Sequence, residues 1–264
     1  MDLITGVEEA WPMKTLAIVQ ARTSSTRYPG KVLAPLAGQP MILRQLERIQ
    51  RAETIDGIVI ATSTDSTDDE LAQLLELREF KVVRGDLNDV LARFIKVIDQ
   101  YQPETVVRLT ADCPLISPKV IDQVVTRFEQ GNCDYVSNTM TPTYPDGLDV
   151  EVVRASVLRE VAETSADAHE REHVTLGVYR QPEKYRILNV AGDEDFSHLR
   201  WTVDTPDDFV FVTGVYEEIY PLNPNFDLDE VLTYLQEHPE RNRTTQDAMR
   251  NAALEGLDTG AMNT

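Results

Sequence analysis

TLAIVQARTSSTRYPGK, residues 15–31, joins two unlike pieces of chain, a short apolar run and a loop carrying Arg22, Arg27 and Lys31. Residues 15–21 are apolar with β-branched side chains, the composition of a strand buried in a sheet. The loop at 22–31 adds a run of small hydroxyl residues, 23–26, and Gly30. Backbone N–H groups in a tight loop can wrap phosphate oxygens while Arg and Lys neutralise them. The chain as a whole has a formal net charge of −20, so this knot of cations stands against its background. The alternative is an exposed basic loop paired with neighbouring carboxylates. A Walker A loop is excluded, because Val32 follows Gly30-Lys31 where Ser or Thr is required and no glycine lies five residues before Gly30. A dinucleotide-binding G-x-G-x-x-G is absent as well.

Outward from this loop, helical and strand patterns alternate. Residues 40–52 place Ile42, Leu43, Leu46 and Ile49 on one stripe, with Pro40 at the start of the helix. Strands are predicted at 57–61, 80–84 and 105–109, and helices at 68–77, 89–100 and 118–128, the last opened by Ser117 and a proline at its first position. Such alternation predicts a parallel sheet covered by helices on both faces, right-handed crossovers, and ligands at the carboxyl ends of the strands. After Gly131 the pattern breaks. Segments 134–137 and 148–154 read as extended, separated by the turn-rich TMTPTYPDG at 139–147. Helices follow at 155–163 and 170–179, strands at 185–190 and 198–203, and helices from Pro206 and Asp227.

The composition narrows the class. With 264 residues, 42% hydrophobic and 27% charged, the chain suits a single globular α/β domain. No apolar run approaches the roughly 20 residues needed to cross a bilayer. The first twelve residues carry Asp2, Glu8 and Glu9 but no basic residue, unlike a secretory signal. Cys113 and Cys133 alone imply no disulfide framework, so a reducing cytoplasm is expected. The negative charge disfavours nucleic acid and anionic membranes as partners and leaves small anionic substrates.

Several ordered motifs carry a family resemblance: QARTSSTRYPGKVL (20–33), DVLARF (89–94), RLTADCPLI (108–116), DGLDVEVV (146–153), REHVT (171–175) and RWTVDTPDDF (200–209). Together they resemble the CMP-sugar synthetases, which include the acylneuraminate and Kdo cytidylyltransferases. The likeness is closest to the branch associated with spore coat polysaccharide biosynthesis. It implies a three-layer α/β/α nucleotidyltransferase fold, Rossmann-like and GT-A-like, with a mixed, mostly parallel sheet. The pattern along the chain itself gives a domain at 13–240 with an insertion at about 131–197, read as acceptor-binding and dimer-forming, an N-terminal extension at 1–12 and a polar tail at 241–264. The activity implied is transfer of CMP from CTP to a sugar or sugar acid, with release of pyrophosphate, for surface polysaccharide synthesis.

The resemblance also assigns residues. Arg22, Ser25, Arg27 and Lys31 would hold the triphosphate, with Arg22, Arg27 and Lys31 supporting catalysis by stabilising charge on the departing pyrophosphate. Asp112 and Asp204 would hold Mg²⁺. Their positions agree, since each follows a predicted strand and so lies at the sheet's carboxyl edge; a turn-stabilising side chain and a helix N-cap are the plainer readings. Ala21, Thr62, Ser63, Arg84, Asn88, Asp89 and Thr110, at or after strand ends, are candidates for nucleotide contacts, against ordinary loop and capping roles. Asp146, Asp149, Glu151, Arg171 and His173, with His169 and Glu170 beside them, are candidates for a hydroxyl-rich or acidic acceptor; surface salt bridges would explain the same composition.

Two further motifs point away from chemistry. His169-Glu-Arg-Glu-His173 matches H-E-x-x-H literally, yet its intervening charged residues do not suit a packed zincin helix. Cys113 adjoins Asp112, whose charge would suppress the thiolate, so a packed cysteine is expected rather than a nucleophile. The rival functions are a nucleotide-sugar-dependent glycosyltransferase, which has less need of a triphosphate loop, and a non-catalytic nucleotide-binding protein.

Overall fold

The computed structural model describes residues 13–245. The extension expected at 1–12 lies outside the described residues, as does the expected tail from 246 to 264. In chain order the first half comprises β1 (Thr15–Gln20), the short strands β2 (Pro35–Leu36) and β3 (Gln39–Pro40), α1 (Met41–Ile49), β4 (Gly57–Ser63), α2 (Asp69–Leu77), β5 (Lys81–Gly85), α3 (Val90–Tyr101) and β6 (Thr105–Thr110). The second half continues with α4 (Pro118–Gly131), β7 (Tyr135–Ser137), β8 (Glu151–Arg154), α5 (Ala155–Thr164), α6 (Ala168–Glu172), α7 (Leu176–Tyr179) and β9 (Ile187–Asn189). Helices α8 (Pro206–Ile219) and α9 (Leu228–Glu237) complete it.

Alternation along β1 builds the layers. Ala17 and Val19 join a core formed with α1, α2, α4, α8 and α9, whereas Leu16 and Ile18 join a second core with α3, α5 and α7. A strand's side chains point to opposite faces in turn, so an unbroken apolar strand requires cover on both sides. The result is a three-layer α/β/α architecture. Its main sheet has the order β5-β4-β1-β6-β8-β7-β9. Neighbours are parallel except where β8 is inserted, antiparallel to both β6 and β7, so the sheet is mixed but mostly parallel.

The strand order creates the site. From β1 the chain moves outward through β4 to β5, then returns to place β6 on the other flank of β1. Crossovers therefore diverge between β1 and β6, leaving a crevice beyond their carboxyl ends. Local capping sharpens the helix starts: the Asp89 side chain accepts from the Ala92 amide and Ser117 from that of Val120. Thr205 and Asp208 form a reciprocal capping box at α8.

Two expected elements differ. No strand forms at 198–203; Leu199 and Arg200 make only isolated bridges, to Thr244 and Asp146. The amides there are satisfied one by one, Arg200 by the Arg243 carbonyl, Trp201 and Thr202 by that of Asp146, and Val203 by that of Asp112. The helix expected at 170–179 is broken into α6 and α7 because buried Val174 adopts φ 50°, a left-handed conformation that ends a right-handed helix.

Candidate active site

The β1–α1 loop folds back on itself at the crevice. The amides of Ser25 and Gly30 both donate to the Thr23 carbonyl, at 2.9 and 2.8 Å. Gly30 sits at φ 73°, a conformation that favours glycine and turns the chain into the helical turn carrying Lys31. The base of the loop is tied to the end of β4 by Asp68, which is fully buried. This carboxylate accepts from the Thr23 amide at 2.7 Å and the Thr23 hydroxyl at 2.8 Å, and from the amide and hydroxyl of Ser63. Burial pushes the Asp68 carboxyl up, but the bonds from Ser63 and Thr23 outweigh it and leave its pKa below the ordinary value.

Lys31 reaches across the crevice. Its Nζ donates to the Val203 carbonyl at 2.6 Å, to Asp204 at 2.9 Å and to Asp112 at 3.3 Å. Burial opposes the ammonium charge, yet the two aspartates more than compensate and raise the Lys31 pKa. Asp112 shows the mirror effect: burial pushes its carboxyl up, while the Lys31 charge and hydrogen bonds bring it below the usual range. Arg27 also pairs with Asp204, at 2.9 Å, as does Arg200 at 3.1 Å. Asp204 thus receives cations from three directions.

The two aspartates form a fitting position for a hard divalent cation. The lysine ammonium between them already marks a place stabilised for positive charge, and carboxylate oxygens are the donors that Mg²⁺ prefers. Among the described residues no group of three or more His, Cys, Asp or Glu is poised to hold a metal. Two carboxylates leave most of an octahedral shell for water and substrate phosphate, which is the usual Mg²⁺ arrangement.

Gln20, Ala21, Arg22, Ser25, Arg27, Lys31, Thr110, Asp112, His173 and Asp204 all line this cleft, and Thr26, Val90, Arg93, Ala111 and Glu172 line it with them. Of the other nucleotide candidates, Thr62 and Ser63 are buried at the end of β4 and are not among the lining residues. Arg84 is held by Asp69 and the Ser63 carbonyl, Asn88 donates its amide to Asp86, and Asp89 caps α3. The acceptor candidates scatter as well. Asp146 is buried on Arg200 at 2.8 Å, and Arg171 pairs with Asp89 at 2.6 Å. Glu151 pairs with Arg108 and accepts from the hydroxyls of Tyr135 and Thr175 at 2.6 and 2.5 Å. Asp149 is absent from the cleft lining. His173 alone of this set faces the cleft; burial, then the nearby Arg108 charge, lowers its pKa and favours neutral imidazole.

His169 lies within the five-residue α6 and His173 caps its end, and Glu170 between them is engaged by Ser165 and Arg180. Cys113 is buried, and burial, with the Asp112 charge second, pushes its thiol well above the ordinary value. Sequence reasoning missed Asp68 and Arg93. Asp68 reads simply as a helix cap. Arg93 had a legible signal, since it interrupts the buried stripe of Val90, Leu91, Phe94, Val97 and Ile98 with a cation.

A mostly parallel sheet whose switch-point crevice gathers a cationic loop and two carboxylates has the layout of a nucleotide-handling transferase. The comparisons make that class specific. Residues 16–245 match the cytidylyltransferase family, and the chain belongs to it. It is therefore a nucleotidyltransferase. The spore coat polysaccharide biosynthesis protein SpsF of Bacillus subtilis is 34% identical over 233 residues, covering 85% of this chain and 95% of that protein. A solved cytidylyltransferase from Leptospira borgpetersenii superposes with a TM-score of 0.82 at 28% identity, covering 87% of this chain and 96% of that one. A CMP:2-keto-3-deoxy-manno-octonic acid synthetase complexed with CTP shares the fold, with a TM-score of 0.58 at 18% identity over 78% of this chain and 99% of that one.

Proposed function

We propose that this cytidylyltransferase transfers CMP from CTP to a hydroxyl of a sugar or sugar acid, releasing pyrophosphate, as a step toward a surface polysaccharide. The observation that carries the reading is the convergence of Lys31, Arg27, Asp112 and Asp204 at the β1–β6 crevice. The similarity to the spore coat protein supports the polysaccharide setting, and the CTP complex of the structural relative supports the nucleotide. Among the described residues no helix is long and apolar enough to cross a membrane, and a cytoplasmic, homodimeric enzyme remains part of the proposal.

In this reading an acceptor oxygen attacks the α-phosphorus, and the bond from that phosphorus to the bridging oxygen of the β-phosphate breaks. Arg22, Arg27 and Lys31 draw the triphosphate into the loop and stabilise the charge that gathers on the leaving pyrophosphate. Asp112 and Asp204 would hold Mg²⁺, which supplies Lewis-acid neutralisation of phosphate charge when bound. Asp68 fixes the loop, so that its donors are oriented before the substrate arrives. His173 and Glu172 line the same cleft, and in this reading they meet the acceptor as neutral donor and as hydrogen-bond acceptor.

The experiment is a thermal-shift series with CTP, UTP, ATP and GTP, each with and without Mg²⁺, followed by a pyrophosphate-release screen over sugars and sugar acids. A ligand at about a hundred times its Kd should stabilise the fold by roughly 3 kcal/mol. The expected result is a CTP-selective shift enhanced by Mg²⁺ and pyrophosphate released only with acceptor. No shift with any triphosphate would overturn the reading, and turnover of a nucleotide sugar without pyrophosphate would replace it with glycosyl transfer.

A further inference from the structure

Arg93 is a buried cation whose hydrogen-bonding capacity is almost unused. The residue is 2% exposed. A guanidinium carries five N–H donors, yet among the described residues its hydrogen bonding is confined to Nη1, which reaches the Ala61 carbonyl at 3.3 Å. Its Nε is buried with no partner. The carboxylates that could neutralise it are committed elsewhere: Asp68 to Thr23 and Ser63, Asp86 to the amides of Asn88 and Asp89, and Asp89 to Ala92 and Arg171. Arg22 adds a second positive charge nearby, and burial together with that charge lowers the Arg93 pKa. Burying an arginine on a single carbonyl is costly, and its remaining donors, at the edge of the cleft, are suited to a ligand with paired acceptors.

The surroundings are shaped to keep it there. Gly85, at the end of β5, lies so close to the arginine stem that a Cβ there would stand 2.6 Å from the Arg93 Cγ. Arg93 lines the active-site cleft but enters it from the α3 face of the sheet, whereas the phosphate loop leads toward α1 on the other face. Its bond to Ala61 places it over the end of β4, while Asp112 lies beyond β6 on the opposite flank of β1. Two strand spacings, about 10 Å, separate those positions, comparable with the reach from an α-phosphate to a pyrimidine edge.

We propose that Arg93 is a specificity-determining residue that donates to O2 and N3 of the cytosine base. This rests on the CTP reading above. Cytosine presents two adjacent acceptors, O2 and N3, to a planar donor fork. Uracil carries hydrogen on N3, so one arm of the fork would face a donor. An arginine here therefore favours cytosine and rejects uracil by one mechanism.

The test is calorimetric titration of CTP and UTP, with Mg²⁺, into wild type, Arg93→Met and Arg93→Lys, alongside the ligand-free melting midpoint of each. Wild type should prefer CTP by at least about tenfold. Arg93→Met should weaken CTP binding by roughly ten- to a hundredfold, the range of a bidentate base contact, while changing UTP binding far less. Its ligand-free midpoint should hold or rise, because a buried cation with no salt-bridge partner among the described residues has been removed. Arg93→Lys keeps charge and stem but loses the fork, and should likewise lose the preference; it carries the test if the methionine variant fails to fold. Equal weakening of CTP and UTP would make Arg93 a phosphate contact and overturn the assignment. Unchanged binding of both by a wild type that remains selective would also overturn it. A wild type that binds CTP and UTP alike would sink the cytidine reading itself, a failure distinguishable from the others.

Discussion

Arg200 and Lys31 are both buried cations that hold carboxylates, and they share Asp204. Around Arg200 the demand is met from within. It pairs with Asp146 at 2.8 Å and with Asp208 at 3.3 Å, and Asp208 also accepts the amides of Asp204 and Thr205 and a bond from Arg243. Around Lys31 the carboxylates keep faces toward the cleft: the side chains of Asp112 and Asp204 retain 28% and 20% exposure, against 1% for Asp208. The same residue types thus serve as a rivet in one place and as exchangeable partners in the other. Which role a charge plays follows from whether its remaining lone pairs point at protein or at solvent.

The largest separation between the two clusters should appear in stability. Arg200→Met takes from buried Asp146 its arginine and from buried Asp208 one of its two, Arg243 remaining, and should cost about 3–5 kcal/mol, read from urea denaturation midpoints. A loss below about 1 kcal/mol would erase the distinction. Lys31→Met should act on turnover instead, lowering kcat/KM for the nucleotide by roughly 10²–10³, as for loss of one donor to transition-state charge. Steady-state pyrophosphate release measures it, and near-normal turnover would make Lys31 another rivet.

Smaller effects sharpen the contrast within the pair of aspartates. Asp112→Asn and Asp204→Asn should each raise the Mg²⁺ concentration for half-maximal activity by about tenfold or more, since fewer charged ligands bind a hard cation less tightly. Unchanged metal dependence would remove that residue from the metal position. The smallest effect is acid sensitivity. Burial pushes the Asp208 carboxyl up, but Arg200 and the amide of Asp204 bring its folded-state pKa below the unfolded value. Its contribution is therefore present above the ordinary carboxylate value of about 3.9 and is lost as pH falls through the depressed one. Denaturation of wild type should steepen below about pH 4, and Asp208→Asn should flatten that dependence.

The alternation from β1 to α4 was legible because apolar runs and helical stripes there are separated by clean turns. Lys31 and Asp112 were legible as neighbours because one lies in the loop that leaves β1 and the other just past β6, whereas Asp204 was put beside them from an expected strand that does not form. Segment 198–203 misled because its apolar spacing matches a strand, while its actual partners, Asp112, Asp146 and Arg243, are remote in sequence. The helix break at Val174 was hidden, since a β-branched residue rarely adopts positive φ and nothing local announces it. Asp146 and Glu151 looked like acceptor ligands because a carboxylate's letter does not say which cation faces it. Arg200 and Arg108 do, and both lie more than forty positions away from their partners.

Gly85 ties the choice of residue at one position to that at another. Its missing side chain is room taken up by the Arg93 stem, and its backbone needs no special conformation. A side chain at position 85 would have to displace the arginine stem, whereas a shorter residue at 93 would relieve that contact. The smallness of residue 85 and the size of residue 93 are thus one steric choice written at two places in the chain.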